Sequence, residues 1–175
     1  MTLCNNNDAS FFFEERKDCR NLRIFSIDPP TARDLDDALS LEPLPNGNFR
    51  IGVHIADVTY FVEEGDPVDV EARKRCTSVY LVQKVIPMLP RLLCENLCSL
   101  NPDVERLAYS TFFEMTADGI LVKNQNVWYG RTVIKSCAKL DYGVALGVIR
   151  ETVNSIDDID KEHYCITDGV DFNVS

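Results

Sequence analysis

Asp28-Pro29-Pro30-Thr31-Ala32-Arg33-Asp34-Leu35-Asp36-Asp37 sets the terms for the whole chain. Four carboxylates fall within ten residues, and three of them within four. Aspartate is a poor strand former and is accepted in helices mainly near their starts, so the stretch reads as a loop. Packed this tightly, the carboxylates repel one another unless something cationic sits among them. A hard divalent ion with oxygen ligands meets that need. The flanks fix the loop's setting. Arg23-Ile24-Phe25-Ser26-Ile27 is a short strand that delivers Asp28 at its end. Pro29-Pro30 cannot continue a ladder. Residues 38–44 and 49–55 are strand-like runs about Pro45-Asn46-Gly47-Asn48, and Asn-Gly in that position signals a hairpin. The acidic loop is thus held by strands on both sides, a common setting for ligand-bearing residues.

Working outward, residues 57–62 extend or follow the second arm. Gly65-Asp66-Pro67 opens a helix to about Cys76, with Asp66 as N-cap and Pro67 at the first helical position. Residues 77–82 are a further strand. Pro87-Met88-Leu89-Pro90 is a tight connector, and residues 92–97 form a short helix. Residues 106–116 and 120–130 form a second hairpin about Ala117-Asp118-Gly119, and 131–136 continue as strand. Leu140, Val144, Leu146, Val148 and Ile149 have helical spacing over 140–151, weakened by Gly143 and Gly147. Residues 1–15 read as a loose lead-in. Residues 152–175 read as an acidic, poorly ordered tail. No repeat and no linker divides the chain. The expected class is α+β, a mostly antiparallel sheet with short helices.

A chain of 175 residues suits one domain with a sizeable core. Apolar residues make up 45% and charged residues 26%, which excludes collagenous and strongly disordered classes. No apolar run approaches the roughly 18–20 residues of a membrane span. Phe11-Phe12-Phe13 is too short for a signal peptide, lacks a basic lead-in and is followed by Glu14-Glu15. Neither a membrane partner nor a secretory leader is expected. The seven cysteines include no C-x-x-C pair, and no second pair completes a zinc set beside Cys94 and Cys98. They read as reduced, mostly buried thiols of a cytoplasmic protein. The net charge is −10, of which residues 151–175 supply −6. By charge alone the chain does not look like a nucleic-acid binder. A bound cation would change the local sign at the aspartates, not the overall bias.

The spacing D-x5-D-x-D-D is not an EF-hand loop. Counted from Asp34, position 6 is Leu39 rather than Gly, and position 12 is Pro45 rather than Glu. There is no Walker A pattern and no G-x-G-x-x-G. Two histidines, His54 and His163, leave little material for a histidine-dependent triad, and no Ser sits in G-x-S-x-G. Clustered Asp without His suits magnesium, which uses a few carboxylates, keeps waters and takes other ligands from phosphate oxygens. Two such ions about 4 Å apart can activate a water and stabilise the leaving oxygen of an in-line phosphodiester displacement. On the residues alone three readings stand: metal-dependent phosphoryl chemistry, a solvated turn with an aspartate cap, and a structural calcium site.

Ile27-Asp-Pro-Pro-Thr-Ala-Arg-Asp-Leu-Asp-Asp-Ala-Leu-Ser40 resembles the signature of the RNB family, the exoribonuclease II catalytic domain. The segments 53–61 (Val-His-Ile-Ala-Asp-Val-Thr-Tyr-Phe), 75–81 (Arg-Cys-Thr-Ser-Val-Tyr-Leu), Pro87-Met-Leu-Pro90, Leu97-Cys-Ser-Leu100 and Lys139-Leu-Asp-Tyr142 fit the same family in order. The resemblance covers about residues 16–149. Within the family it is nearest to the eukaryotic exosome-related branch, in particular the cytoplasmic exonucleases that degrade uridylated RNA.

The resemblance implies processive 3′-to-5′ hydrolysis of single-stranded RNA to nucleoside 5′-monophosphates, as in mRNA decay, with magnesium, or manganese in its place. It implies metal roles for Asp28, Asp34, Asp36 and Asp37. Asp28 and Asp37 match direct ligands, Asp34 matches a position that helps hold the metal, and Asp36 matches the position most closely tied to catalysis. Tyr80 and Tyr142 match aromatic positions near the 3′ end of bound RNA, where a tyrosine face stacks without choosing a base. Single-stranded RNA, with 3′-uridylated RNA among the candidates, is the implied partner, and DNA is not. His54 and Asp57 read as scaffold. Arg33 reads either as a charge partner of the carboxylates or as solvent-facing. The family's catalytic domain is longer than this chain, and its phosphate-clamping arginine motif and flanking OB-type modules find no match here. The chain therefore reads as the N-terminal portion, over residues 16–151, of an incomplete RNB catalytic domain, with reduced or no activity alone. The alternative is a non-enzymatic fragment that binds metal or protein.

Overall fold

Local rules account for most elements of the computed structural model, which describes residues 16–150. The lead-in at 1–15 and the acidic tail at 152–175, with Cys4, His163 and Cys165, lie outside the described residues. The strand that ends at the aspartate loop is β2 (Ile24–Ile27), preceded by the two-residue β1 (Lys17–Asp18). The Asn-Gly hairpin joins β3 (Asp37–Pro43) to β4 (Phe49–Ala56), with Gly47 at φ +82° and the turn closed by Gly47 N donating to Leu44 O at 3.0 Å. A one-turn 3-10 segment (Val58–Tyr60) follows. Helix α1 (Pro67–Arg75) has Pro67 at its start, and the Asp66 carboxylate accepts from Asp69 N at 2.7 Å. Then come the short strands β5 (Val79–Tyr80) and β6 (Val85–Ile86), a wide-turn π-helix (Leu92–Leu97), β7 (Glu105–Met115), β8 (Trp128–Lys135), β9 (Ala138–Leu140) and α2 (Tyr142–Ile149).

Seven strands form one sheet in the order β1-β8-β7-β4-β3-β2-β9, while β5 and β6 pair only with each other. The central pairings are antiparallel. The two outer ones, β1 with β8 and β2 with β9, are parallel. Those outer pairs join the same two chain segments, 17–27 and 128–140, so the sheet curls until its ends meet. Cys19 N donating to Val133 O (2.8 Å) and Cys137 N donating to Ile24 O (2.7 Å) stitch the junction. Ile24, Ala38, Ala56, Ala108, Phe112 and Ile134 fill the interior, with Leu35 and Leu100 from the loops.

A polar chain also runs through the interior. His54 is fully buried. Its Nε2 meets Ser40 Oγ at 2.9 Å and its Nδ1 meets Ser110 Oγ at 2.7 Å, and Ser110 reaches Thr132 Oγ1 at 2.6 Å. Gly52 makes room for it, since a Cβ there would sit 2.3 Å from Ser40 Oγ. His54 is scaffold. So is Asp57, whose Oδ2 accepts from Arg16 Nη2 at 2.7 Å with both side chains 3% exposed.

Three elements differ from the sequence expectation. The return arm of the second hairpin begins at Trp128, opposite Phe112, and not at Ile120. The Gln125 side chain, which both donates to and accepts from the Glu114 backbone, takes the place of a strand there. The strand expected at 77–82 shrinks to Val79–Tyr80, because Leu81 N donates to Lys84 O and turns the chain back. The short helix at 92–97 occurs at the expected bounds as a π-helix, closed by Cys98 N donating to Leu93 O. Leu140 ends a strand, and Asp141 caps a helix that starts at Tyr142.

Candidate active site

The aspartate loop is pinned along its length. At its start, Asp28 N donates to Leu140 O at 2.9 Å, and Ala32 N closes a turn onto Pro29 O at 2.9 Å. The Lys139 ammonium donates to Pro30 O (3.2 Å) and Ala32 O (2.6 Å). Ser99 Oγ donates to Arg33 O at 2.9 Å and accepts from Leu35 N at 3.0 Å. Leu35 is 1% exposed and anchors the middle of the loop in the core. Ala56 N donating to Asp36 O at 2.9 Å leads into β3 at Asp37. With Leu35 inward, its neighbours Asp34 and Asp36 are left facing a cleft of about 480 Å³ together with Asp28 and Asp37. Arg33 lies on the same side. Tyr80, Arg91 and Glu95 belong to the lining contributed by the 79–95 stretch.

The electrostatics are those of crowded anions. Burial, reinforced by the Asp37 and Asp34 charges, pushes the Asp28 carboxyl above the usual range, and the neighbouring Ser26 hydroxyl and Lys139 oppose the shift. Asp36 is raised by desolvation first and then by Asp34, Asp37 and Asp28. Tyr80 OH donates to Asp34 Oδ2 at 2.8 Å, and that bond leads in pushing the phenol up to about 12. Asp28 Oδ2 and Ser26 Oγ are buried neighbours, and neither makes a hydrogen bond of ordinary geometry. A buried anionic oxygen left unpaired is costly and calls for a cation or ordered water. In type and charge the carboxylates suit a hard cation. Among the described residues, no group of three or more His, Cys, Asp or Glu is drawn together closely enough to hold a metal ion.

The structure therefore brings Asp28, Asp34, Asp36, Asp37 and Tyr80 to one cleft. Tyr142 is not in its lining. It is 64% exposed at the start of α2. Arg33 lines the cleft, and among the described residues it forms no ion pair with the aspartates. Sequence reasoning missed Lys139, Ser99 and Arg91. The first two sit inside the 139–142 and 97–100 segments, but their grip on the loop is visible only in three dimensions. Among the described residues, no helix is long and apolar enough to cross a membrane.

Known proteins resemble this chain in sequence and in fold. DIS3-like exonuclease 2 of Xenopus tropicalis is 59% identical over 145 residues, covering 83% of this chain and 17% of that protein. A protein of Arabidopsis thaliana named inactive exonuclease DIS3L2 is 52% identical over 136 residues, 78% of this chain and 13% of that protein. The chain thus spans less than a fifth of the length of these relatives. Among solved structures, Mycoplasma genitalium RNase R in complex with ribose-methylated single-stranded RNA superposes with a TM-score of 0.77 at 27% identity, over 88% of this chain and 23% of that one. The model of the RNB domain matches residues 16–165, from the buried Arg16 through the pinned aspartate loop and past α2. The chain belongs to the RNB domain family.

Proposed function

We propose that the cleft is the metal-holding part of a magnesium-dependent 3′-to-5′ exoribonuclease site that hydrolyses single-stranded RNA to nucleoside 5′-monophosphates. The observation that carries this reading is the convergence of four loop aspartates on one cleft, one with an unpaired buried oxygen, in an RNB-family chain. Asp28, Asp34, Asp36 and Asp37 would hold magnesium, or manganese, which when bound neutralises the phosphate and acidifies a water. Asp28 and Asp37 bracket the loop and would be the direct ligands, with Asp34 helping to hold the ion. Asp36 orients the attacking water and is the catalytic carboxylate. Tyr80, 66% exposed on the cleft wall, offers a base its ring as a stacking face without sequence choice. Its hydroxyl stays protonated at neutral pH, so it donates and does not act as a base. Tyr142, outside the cleft lining, would meet RNA near its 3′ end as the family match implies. The substrate is RNA, with 3′-uridylated RNA among the candidates, and the expected compartment is the cytoplasm, in keeping with the absence of disulfides among the described residues.

Incubating single-stranded RNA with the chain and magnesium should release 5′-monophosphates, at a reduced rate with this chain alone, and Asp36→Asn should abolish the release. Internal fragments, or mononucleotides that persist in Asp36→Asn, contradict the reading. A second reading, a module that binds metal or protein without catalysis, draws on the relative named inactive. It predicts magnesium binding without turnover.

A further inference from the structure

The wall contributed by β5–β6 stands outside the seven-stranded sheet. The ribbon pairs Val79 with Ile86 and Tyr80 with Val85, and Val82 at its tip is fully exposed. Three bonds hold its base. Met88 N donates to Ser78 Oγ at 3.0 Å, Arg75 Nη1 to Pro87 O at 2.9 Å, and Arg91 Nη2 to Val85 O at 3.2 Å. A fourth, from Tyr80 OH to Asp34 Oδ2, ties it to the aspartate loop across 46 residues of sequence.

That fourth bond does something the ring does not. A carboxylate has two oxygens and roughly four acceptor positions, so a donor on Oδ2 fixes its rotation and leaves other lone pairs free. Donors of this kind, one step removed from a metal, set ligand orientation, and their loss typically costs about 10- to 100-fold in metal affinity. We infer that the Tyr80 hydroxyl is a positioning group for the cation site, orienting Asp34 and coupling the β5–β6 ribbon to the loading of the aspartate cluster. This rests on the reading of the cluster as a magnesium site and deepens it. Coupling of this kind is reciprocal. If the hydroxyl favours the cation-ready Asp34, the bound cation favours the docked ribbon. The phenol, pushed up to about 12, remains a donor throughout the neutral range.

The test uses the full chain and Tyr80→Phe, which keeps the ring and removes the hydroxyl, with Asp34→Asn as comparator. Magnesium titration by calorimetry should show affinity lowered about 10- to 100-fold in Tyr80→Phe. Hydrogen exchange over residues 79–86 should slow on magnesium addition in the parent and not in Tyr80→Phe. Parental affinity together with parental magnesium-induced protection in Tyr80→Phe overturns the inference alone when Asp34→Asn still weakens binding. A parent chain that binds no magnesium overturns both the inference and the reading beneath it.

Discussion

His54 shows how much one buried side chain sets. Burial holds its pKa down to about 4, against about 6.5 for an exposed histidine. Between those values the unfolded chain binds a proton that the folded chain refuses. The contribution is therefore complete above about pH 6.5 and is lost as pH falls to about 4, on the order of 3 kcal/mol. Asp28 and Asp36 have raised pKa values and act in the opposite sense, stabilising the metal-free fold at low pH and costing stability as pH rises through their folded values. Urea midpoints at pH 7 and 4.5 should therefore fall more in the parent than in His54→Gln. Gly52→Ala places a methyl group against Ser40, His54 and Phe112 and should cost about 1–3 kcal/mol in the same assay. At this scale the aspartates were legible, because four carboxylates in ten residues pose a charge problem visible in the sequence. Lys139 and Ser99 were not, because their bonds to the loop span 107 and 64 residues.

Elements governed by local rules were legible, and those governed by distant partners were not. The Asn-Gly hairpin and the Asp66-Pro67 helix start are set within a few residues, and both occur as the sequence indicates. Asp66→Ala removes the α1 cap and should lower stability by about 1 kcal/mol in thermal or urea unfolding. The late start of β8 escaped because Gln125 satisfies the Glu114 backbone with a side chain, which periodicity does not encode. The short β9 escaped because three residues beside β2 gain strand character only from that partner. The ribbon carrying Tyr80 is short because its turn closes early, and that brings the hydroxyl to Asp34 rather than extending a sheet.

Among the described residues, the seven-stranded sheet curls so that its junction lies beside the aspartate loop. Arg16 stands at one end of that junction, donating to Asp57 and to Thr132 O at 3.5 Å. Removing it leaves Asp57, with Arg131 at 3.9 Å as its remaining basic neighbour. Arg16→Met should destabilise by about 3–5 kcal/mol, and pairing it with Asp57→Leu should restore much of the loss in chemical denaturation. Closure of the sheet was not legible, since parallel pairing of the chain's early and late segments leaves no local mark. It nevertheless decides the site, because β9 delivers both the Leu140 carbonyl and the Lys139 ammonium that hold the loop start. The central claim is that this loop holds a divalent cation. Calorimetric titration of magnesium into the chain and its Asp28→Asn and Asp37→Asn variants tests it most directly. Saturable binding in the parent, lost in both variants, is the predicted result; no binding, or equal binding in all three, contradicts it.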